Sequence, residues 1–246
     1  MAKGKSTPLN IGRISEGLTT TLVESTLQFV ARELGPWRDD PDRPAEESEE
    51  RLNAQLCKYL NVAASVRFPM VLFSHEERQT GTRRVDFAAN PSNATFVGKT
   101  YRTIYDPFVV FEGKRLPAPS KSREREYVSG GSEYSGGIQR FKRGLHGATV
   151  EEAAMVGYLQ DGTFDAWFTR VNEWISEEAR QPSAPDEVWS LSEQLDSSPS
   201  LPQQGVAQAT SKHSRKNSTV GSEIRLRHLW VGMFEANSTT DHANAV

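Results

Sequence analysis

Glu112-Gly113-Lys114 closes an apolar run, Phe108-Val109-Val110-Phe111, and sets a carboxylate and an ammonium two residues apart. Strand side chains alternate between faces, so Glu112 and Lys114 project from one face, about 7 Å apart along the chain. A run as apolar as Phe-Val-Val-Phe is expected to be buried on both faces, and charges at its end are costly there unless they have work to do. A second acid stands upstream in Arg83-Arg84-Val85-Asp86-Phe87-Ala88-Ala89, where Val85 and Phe87 share one face and Asp86 shares the other with Arg84 and Ala88. The segment before it, Phe68 to Gln79, is strand-like, and Thr80-Gly81-Thr82 has the glycine of a short hairpin connection. Two carboxylates and a lysine meeting at strand ends make a site for a hard divalent cation, Mg²⁺ with Mn²⁺ as a substitute, and place the lysine beside an activated water.

An acid on one strand followed by acid-x-Lys on the next resembles the PD-(D/E)xK nuclease superfamily, the restriction-endonuclease-like fold. The matching residues are Asp86 and Glu112-Gly113-Lys114. The flanking stretches are Tyr105 through Arg115-Leu116, Tyr127-Val128, and Gly137-Ile138-Gln139-Arg140-Phe141, and they look like a bacterial nuclease-like subgroup. The resemblance covers roughly residues 45 to 170. It implies an α/β fold with a central mixed sheet flanked by helices, and Mg²⁺-dependent endonucleolytic hydrolysis of DNA. By analogy with the subgroup it also implies a part in antiviral defence beside partner subunits. Asp86, Glu112 and Lys114 take the catalytic roles, with Asp86, Glu112 and the Gly113 carbonyl as metal ligands. The superfamily often adds an acid from its first helix, and Glu49 fits that position; an equal reading is that Glu46 to Glu50 favour a helix N-terminus through its dipole. The chain departs from the pattern in having no proline directly before the first acid and a long segment between the two acids.

The elements expected to carry these residues follow from periodicity. Residues 14 to 34 form a helix stopped by Gly35-Pro36, and an acidic loop, Asp39 to Glu50, feeds a second helix. There Ala45, Leu52, Leu56, Tyr59, Leu60 and Ala63 share one side, with Cys57 packing near it. Between the acids, Asn90 to Pro107 form a polar excursion. Its Gly98-Lys99-Thr100 is no phosphate-binding loop, since Asn93 stands where the first glycine is required. Tyr101, Arg102 and Tyr105 either line a substrate groove or anchor the loop. Lys121 to Tyr134 make a charged loop leading to a helix from Gly137 to Arg143. The free N–H groups of that helix can receive a phosphate paired by Arg140 or Lys142. Gln139 and Lys142 can share a face, and Arg115, Gln139, Arg140, Lys142 and Arg143 form the expected nucleic-acid-binding set. Ala153 to Leu159 read as a strand, Asp161-Gly162 as its turn, and Phe164 to Ile175 as an amphipathic helix.

These elements divide the chain into a helical extension (1–40), a nuclease-like core (41–180), a mobile low-complexity insertion (181–222), a returning strand at the sheet edge (223–235) and a disordered tail (236–246). His228 on that strand is expected to be structural. With 246 residues and a net charge of −3, one good core can form, and indiscriminate adhesion to polyanions is disfavoured. Nucleic-acid contact must therefore be local. Residues 112 to 146 carry eight Lys or Arg against four Glu, which reads either as a phosphate track or as a solvated face. One cysteine rules out internal disulfides, the five histidines show no metal-ligand spacing, and Ser132 lies outside any nucleophile-elbow spacing. No apolar signal core or spanning segment stands out, so a cytoplasmic protein without membrane contact is expected. Two rival functions fit the same residues: a non-cleaving nucleic-acid-binding module, and a regulatory interaction subunit whose 181–222 stretch recruits a partner. A homo-oligomer would supply two sites for two cuts on a duplex.

Overall fold

The computed structural model describes residues 16–79, 83–196, 200–203 and 205–233. The expected hairpin turn at 80–82 and the expected disordered tail at 236–246 lie outside the described residues, as does the start of the first expected helix. Helix α1 (Glu16–Arg38) runs through Gly35-Pro36 instead of ending there. A proline inside a helix removes one backbone bond, here to the carbonyl of Arg32. Pro36 and Arg32 face solvent, which can satisfy that carbonyl, while Leu34 and Trp37 are buried and hold the last turn in place. Helix α2 (Glu49–Arg67) begins later than its apolar pattern implied, because Ser48 caps it by accepting the Arg51 N–H at 3.4 Å. Ala45 is left in the loop. Leu52, Leu56, Leu60, Ala63 and Ala64 form the buried stripe of α2. Cys57 joins them as expected, and burial pushes its thiol up to about 12.

The strands are β1 (Val71–Arg78), β2 (Arg84–Pro91), β3 (Thr95–Val97), β4 (Thr100–Arg102), β5 (Val109–Leu116), β6 (Glu152–Leu159), β7 (Ser200–Gln203), β8 (Val206–Ser214) and β9 (Glu223–Gly232). Among the described residues β3 and β4 pair as a small hairpin, and the others form a seven-stranded sheet in the order β1-β2-β5-β6-β9-β8-β7. β1, β2 and β5 are antiparallel, β5, β6 and β9 parallel, and β9, β8 and β7 antiparallel again. The parallel pairs need crossovers. Between β5 and β6 the crossover holds 3₁₀ turns at Lys121–Tyr127 and Gly131–Glu133 and the short helix α3 (Gly137–Lys142). Between β6 and β9 it holds α4 (Phe164–Arg180) and the β7–β8 pair. The chain is thus an α/β protein with a mixed sheet flanked by helices. α1 and α2 cover the face bearing Phe87, Phe111, Val156 and Leu229. α3 and α4 cover the face bearing Val110, Met155, Leu226 and Trp230. No helix among the described residues is long and apolar enough to cross a membrane.

Two expectations are corrected here. Much of the stretch expected to be a mobile insertion is regular structure: β8 pairs with β9 along its whole length. Its residues are small and polar, but Ala207, Ala209, Ser211 and His213 are buried while Lys212 and Ser214 are exposed, the alternation of a half-buried strand. The returning strand β9 is also not at the edge. It lies between β6 and β8, which is why Leu226, His228, Leu229, Trp230 and Val231 are all buried.

Candidate active site

The site begins where β2 and β5 part. Phe87 and Phe111 form the last laddered pair, their rings stacked at 4.5 Å and 6°. One step further the register sets Asp86 opposite Glu112. Here the ladder stops, and Asp86 Oδ2 itself accepts the Gly113 N–H at 2.7 Å. The aspartate thus enters the fork between the strands. Glu112 and Lys114 lie on the α3 face of β5, both buried, with Nζ 3.4 Å from Oε1. Gly113 faces α2, where an added Cβ would stand 1.9 Å from Asn53 Oδ1. A side chain at 113 would push α2 away, and glycine permits the approach. That approach brings Glu49, one turn before Asn53, within 2.7 Å of Lys114 Nζ, while its other oxygen accepts the Arg115 N–H at 3.3 Å.

Two more basic side chains meet Glu112. Arg140 Nη1 donates to Oε1 at 2.6 Å, and His146 Nδ1 lies 3.0 Å from Oε2. Neither Oε2 nor Nδ1 has another hydrogen-bond partner. Both are satisfied if Nδ1 carries the proton and donates to the carboxylate. No sequence signal marked His146, a solitary histidine in a loop. Its role comes only from the way the loop after α3 returns beneath β5.

The three titratable strand residues diverge in charge. Burial alone would favour protonated Glu112, but Lys114, His146 and Arg140 outweigh it and hold the carboxyl far below its usual range. Burial likewise opposes the charged form of Lys114, but Glu112, Glu49 and Asp86 together raise its pKa, so it stays an ammonium. Asp86 goes the other way. Burial, reinforced by the Glu112 charge, pushes it up to about 8 against the pull of Lys114 and the Gly113 N–H. At neutral pH Asp86 therefore holds a proton because burial and the neighbouring Glu112 charge outweigh Lys114 and the Gly113 N–H. A buried acid in that condition, next to an ionised one, suits a divalent cation. The match is incomplete: no group of three or more His, Cys, Asp or Glu is arranged to hold a metal among the described residues, and Glu49 is turned to Lys114 and Arg115.

The expected nucleic-acid-binding set divides. Arg140 reaches the site with 29% of its side chain exposed. Arg115 is half-buried and donates to Gln160 at 2.6 Å. Arg143 stacks on Tyr134 and pairs with Asp186 and Glu187. Gln139 and Lys142 do share a face, but it points inward. Gln139 bonds Gly130, Gly131 and Glu187, and Lys142 Nζ donates to both oxygens of Glu193 at 2.6 Å. Much of the positive charge after β5 is therefore balanced by acids from later in the chain, Glu177, Glu178, Asp186, Glu187 and Glu193. A window ending at residue 146 does not count them. Tyr101, Arg102 and Tyr105 belong to the excursion at the opposite ends of β2 and β5, away from the fork. There Tyr101 meets Phe96 edge-on at 5.3 Å, and Arg102 donates to Thr149 O.

Beyond Lys142 a second buried polar cluster extends under the same face. Trp230 Nε1 donates to Tyr127 OH at 2.8 Å, and that hydroxyl lies 2.7 Å from His228 Nδ1. Ser211 Oγ lies 2.7 Å from both His228 Nε2 and His213 Nε2. His213 Nδ1 faces Glu193 at 3.6 Å. An indole can only donate, so the Tyr127 oxygen accepts from Trp230, and burial disfavours the charged form of both histidines. His228 is structural, as expected. No family model matches this chain, and no curated protein or solved structure matches it either.

Proposed function

We propose that the protein is a metal-dependent nuclease that hydrolyses DNA phosphodiester bonds, built as the PD-(D/E)xK resemblance implies. The observation that carries this reading is the fork itself: Asp86 inserted between β2 and β5, with Glu112 and Lys114 on the same ledge and Glu49 reaching Lys114. Asp86, Glu112 and the Gly113 carbonyl are the residues to hold Mg²⁺ or Mn²⁺, which when bound supplies Lewis acidity and charge neutralisation at the phosphoryl group. Lys114 remains charged, so it cannot take a proton from water. It donates to the attacking water and offsets the charge growing on the phosphate. Glu49 positions Lys114. His146 fixes the orientation of the Glu112 carboxylate, as partners of ligating carboxylates do elsewhere. A cytoplasmic setting, partner defence subunits and a homo-oligomer belong to the same reading.

Cation binding to the folded state alone raises stability by mass action. Mg²⁺ or Mn²⁺ is expected to raise the melting temperature of the intact protein, and Glu112→Ala to erase most of that rise along with metal-dependent digestion of single- or double-stranded DNA. An unchanged rise in the variant would refute the site. A second reading, a nucleic-acid binder that does not cut, draws support from the engagement of both Glu112 oxygens by the protein's own Arg140 and His146. A gel shift in chelator with no product on adding metal would favour it.

A further inference from the structure

We propose that Arg140 is an exchangeable cation, neutralising Glu112 in the free protein and moving to a DNA phosphate when substrate enters, so that Glu112 is released to a divalent ion. The proposal rests on the nuclease reading above and adds an order of events to it.

Three basic side chains surround Glu112, and they differ in freedom. Lys114 and His146 have side chains 7% and 3% exposed, and Lys114 is also held by Glu49. The Arg140 side chain is 29% exposed, and Glu112 is the one acid it pairs with among the described residues. Arg140 also makes the closest contact, on Oε1, the oxygen that faces Lys114. A divalent ion on that oxygen would share it with the guanidinium 2.6 Å away, and two cations on one carboxylate oxygen repel strongly in a buried site. One must leave, and Arg140 is the group with access to solvent.

The helix beneath it stays in place. Gln139 ties α3 to Gly130 and Gly131 on one side of Arg140, and Lys142 ties it to Glu193 on the other. Motion is thereby confined to the arginine side chain, whose planar fork matches two phosphate oxygens. A phosphate at the mouth of the fork gives the guanidinium a new partner as it leaves the carboxylate. Metal and DNA should consequently assist each other's binding, by the same factor in either direction.

The test is Mn²⁺ binding to the full chain, followed by electron paramagnetic resonance with and without saturating phosphorothioate DNA duplex. On the wild type, DNA is expected to tighten Mn²⁺ roughly tenfold or more. Arg140→Met should bind Mn²⁺ roughly tenfold more tightly than wild type without DNA, and gain less than about threefold from adding it. Wild-type Mn²⁺ affinity indifferent to DNA would overturn the exchange, as would an Arg140→Met protein that binds Mn²⁺ no better than wild type. Either result leaves the nuclease reading standing while metal still binds and DNA is still cut. If Mn²⁺ does not bind the wild type under any condition, both readings fall. The wild-type arm decides the matter even if the variant does not fold.

Discussion

Two buried charged clusters sit under one face of the sheet, separated by Met155 and bridged by α3, and they are balanced differently. On the β8 side, one carboxylate, Glu193, meets one ammonium, Lys142, beside hydrogen bonds that run through Ser211 to His213 and His228. Burial opposes the charge on Glu193, but His213 and Lys142 bring its pKa down to about 2. On the β5 side, Glu49, Asp86 and Glu112 face Lys114, Arg140 and His146, and Asp86 is left protonated. Burial is common to both. The protonated acid belongs to one, for Asp86 has no counterpart beside Lys142.

That contrast can be broken most forcefully at Lys142. Lys142→Met takes the ammonium from buried Glu193 and leaves it the Ser214 hydrogen bonds, and is expected to cost about 3–5 kcal/mol in urea denaturation while any stabilisation by Mn²⁺ is kept. Loss of the Mn²⁺ response together with stability would mean that the two clusters act as one. Next in size, Lys114→Ala should lower DNA cleavage by about 10²–10³-fold with the Mn²⁺-induced rise in melting temperature retained. Cleavage at the wild-type rate would remove the lysine from the mechanism.

The smallest effect, and the sharpest, is in pH. Burial depresses both His213 and His228, the latter well below its ordinary value. The unfolded chain then binds more protons than the folded one below about pH 6.5, so the β8 cluster should lose stability on acidification. Asp86 has the opposite sign. Its folded-state value of about 8 lies above the ordinary 3.8, so its contribution is complete at low pH and is lost as pH rises through about 8. Without metal, stability should fall by at most about 1 kcal/mol per pH unit between neutrality and pH 8, and Asp86→Asn should flatten that slope. An equal slope in the variant would show that Asp86 is already ionised.

Much of the β5 side was legible in the sequence because it depends on local rules. Strand parity put Glu112 and Lys114 on one face, hairpin order brought Asp86 beside them, and the residues ahead of an amphipathic helix offered Glu49. The β8 side was not, because its stability comes from distant pairing. Lys142 reads as surface charge until Glu193 is brought to it by a crossover. Val206 to Ser214 has little apolar bulk, and its burial depends on β9, which lies further along the chain. His146 and Pro36 illustrate the same limit: one gains its role from a loop that turns back, the other is tolerated because its neighbour Trp37 is buried.

The hydrogen bonds running from Trp230 through Tyr127, His228 and Ser211 to His213 carry one more consequence, for how β8 finds its place. A strand of alanine, threonine, serine and glutamine has few bulky side chains to index it against β9, and such strands are prone to slip. A slide of one residue would put Ser211 on the wrong side. A slide of two would keep its side but carry its hydroxyl away from the two imidazoles. Only one alignment closes the circuit, so here polar groups do the keying that large side chains perform in an ordinary core.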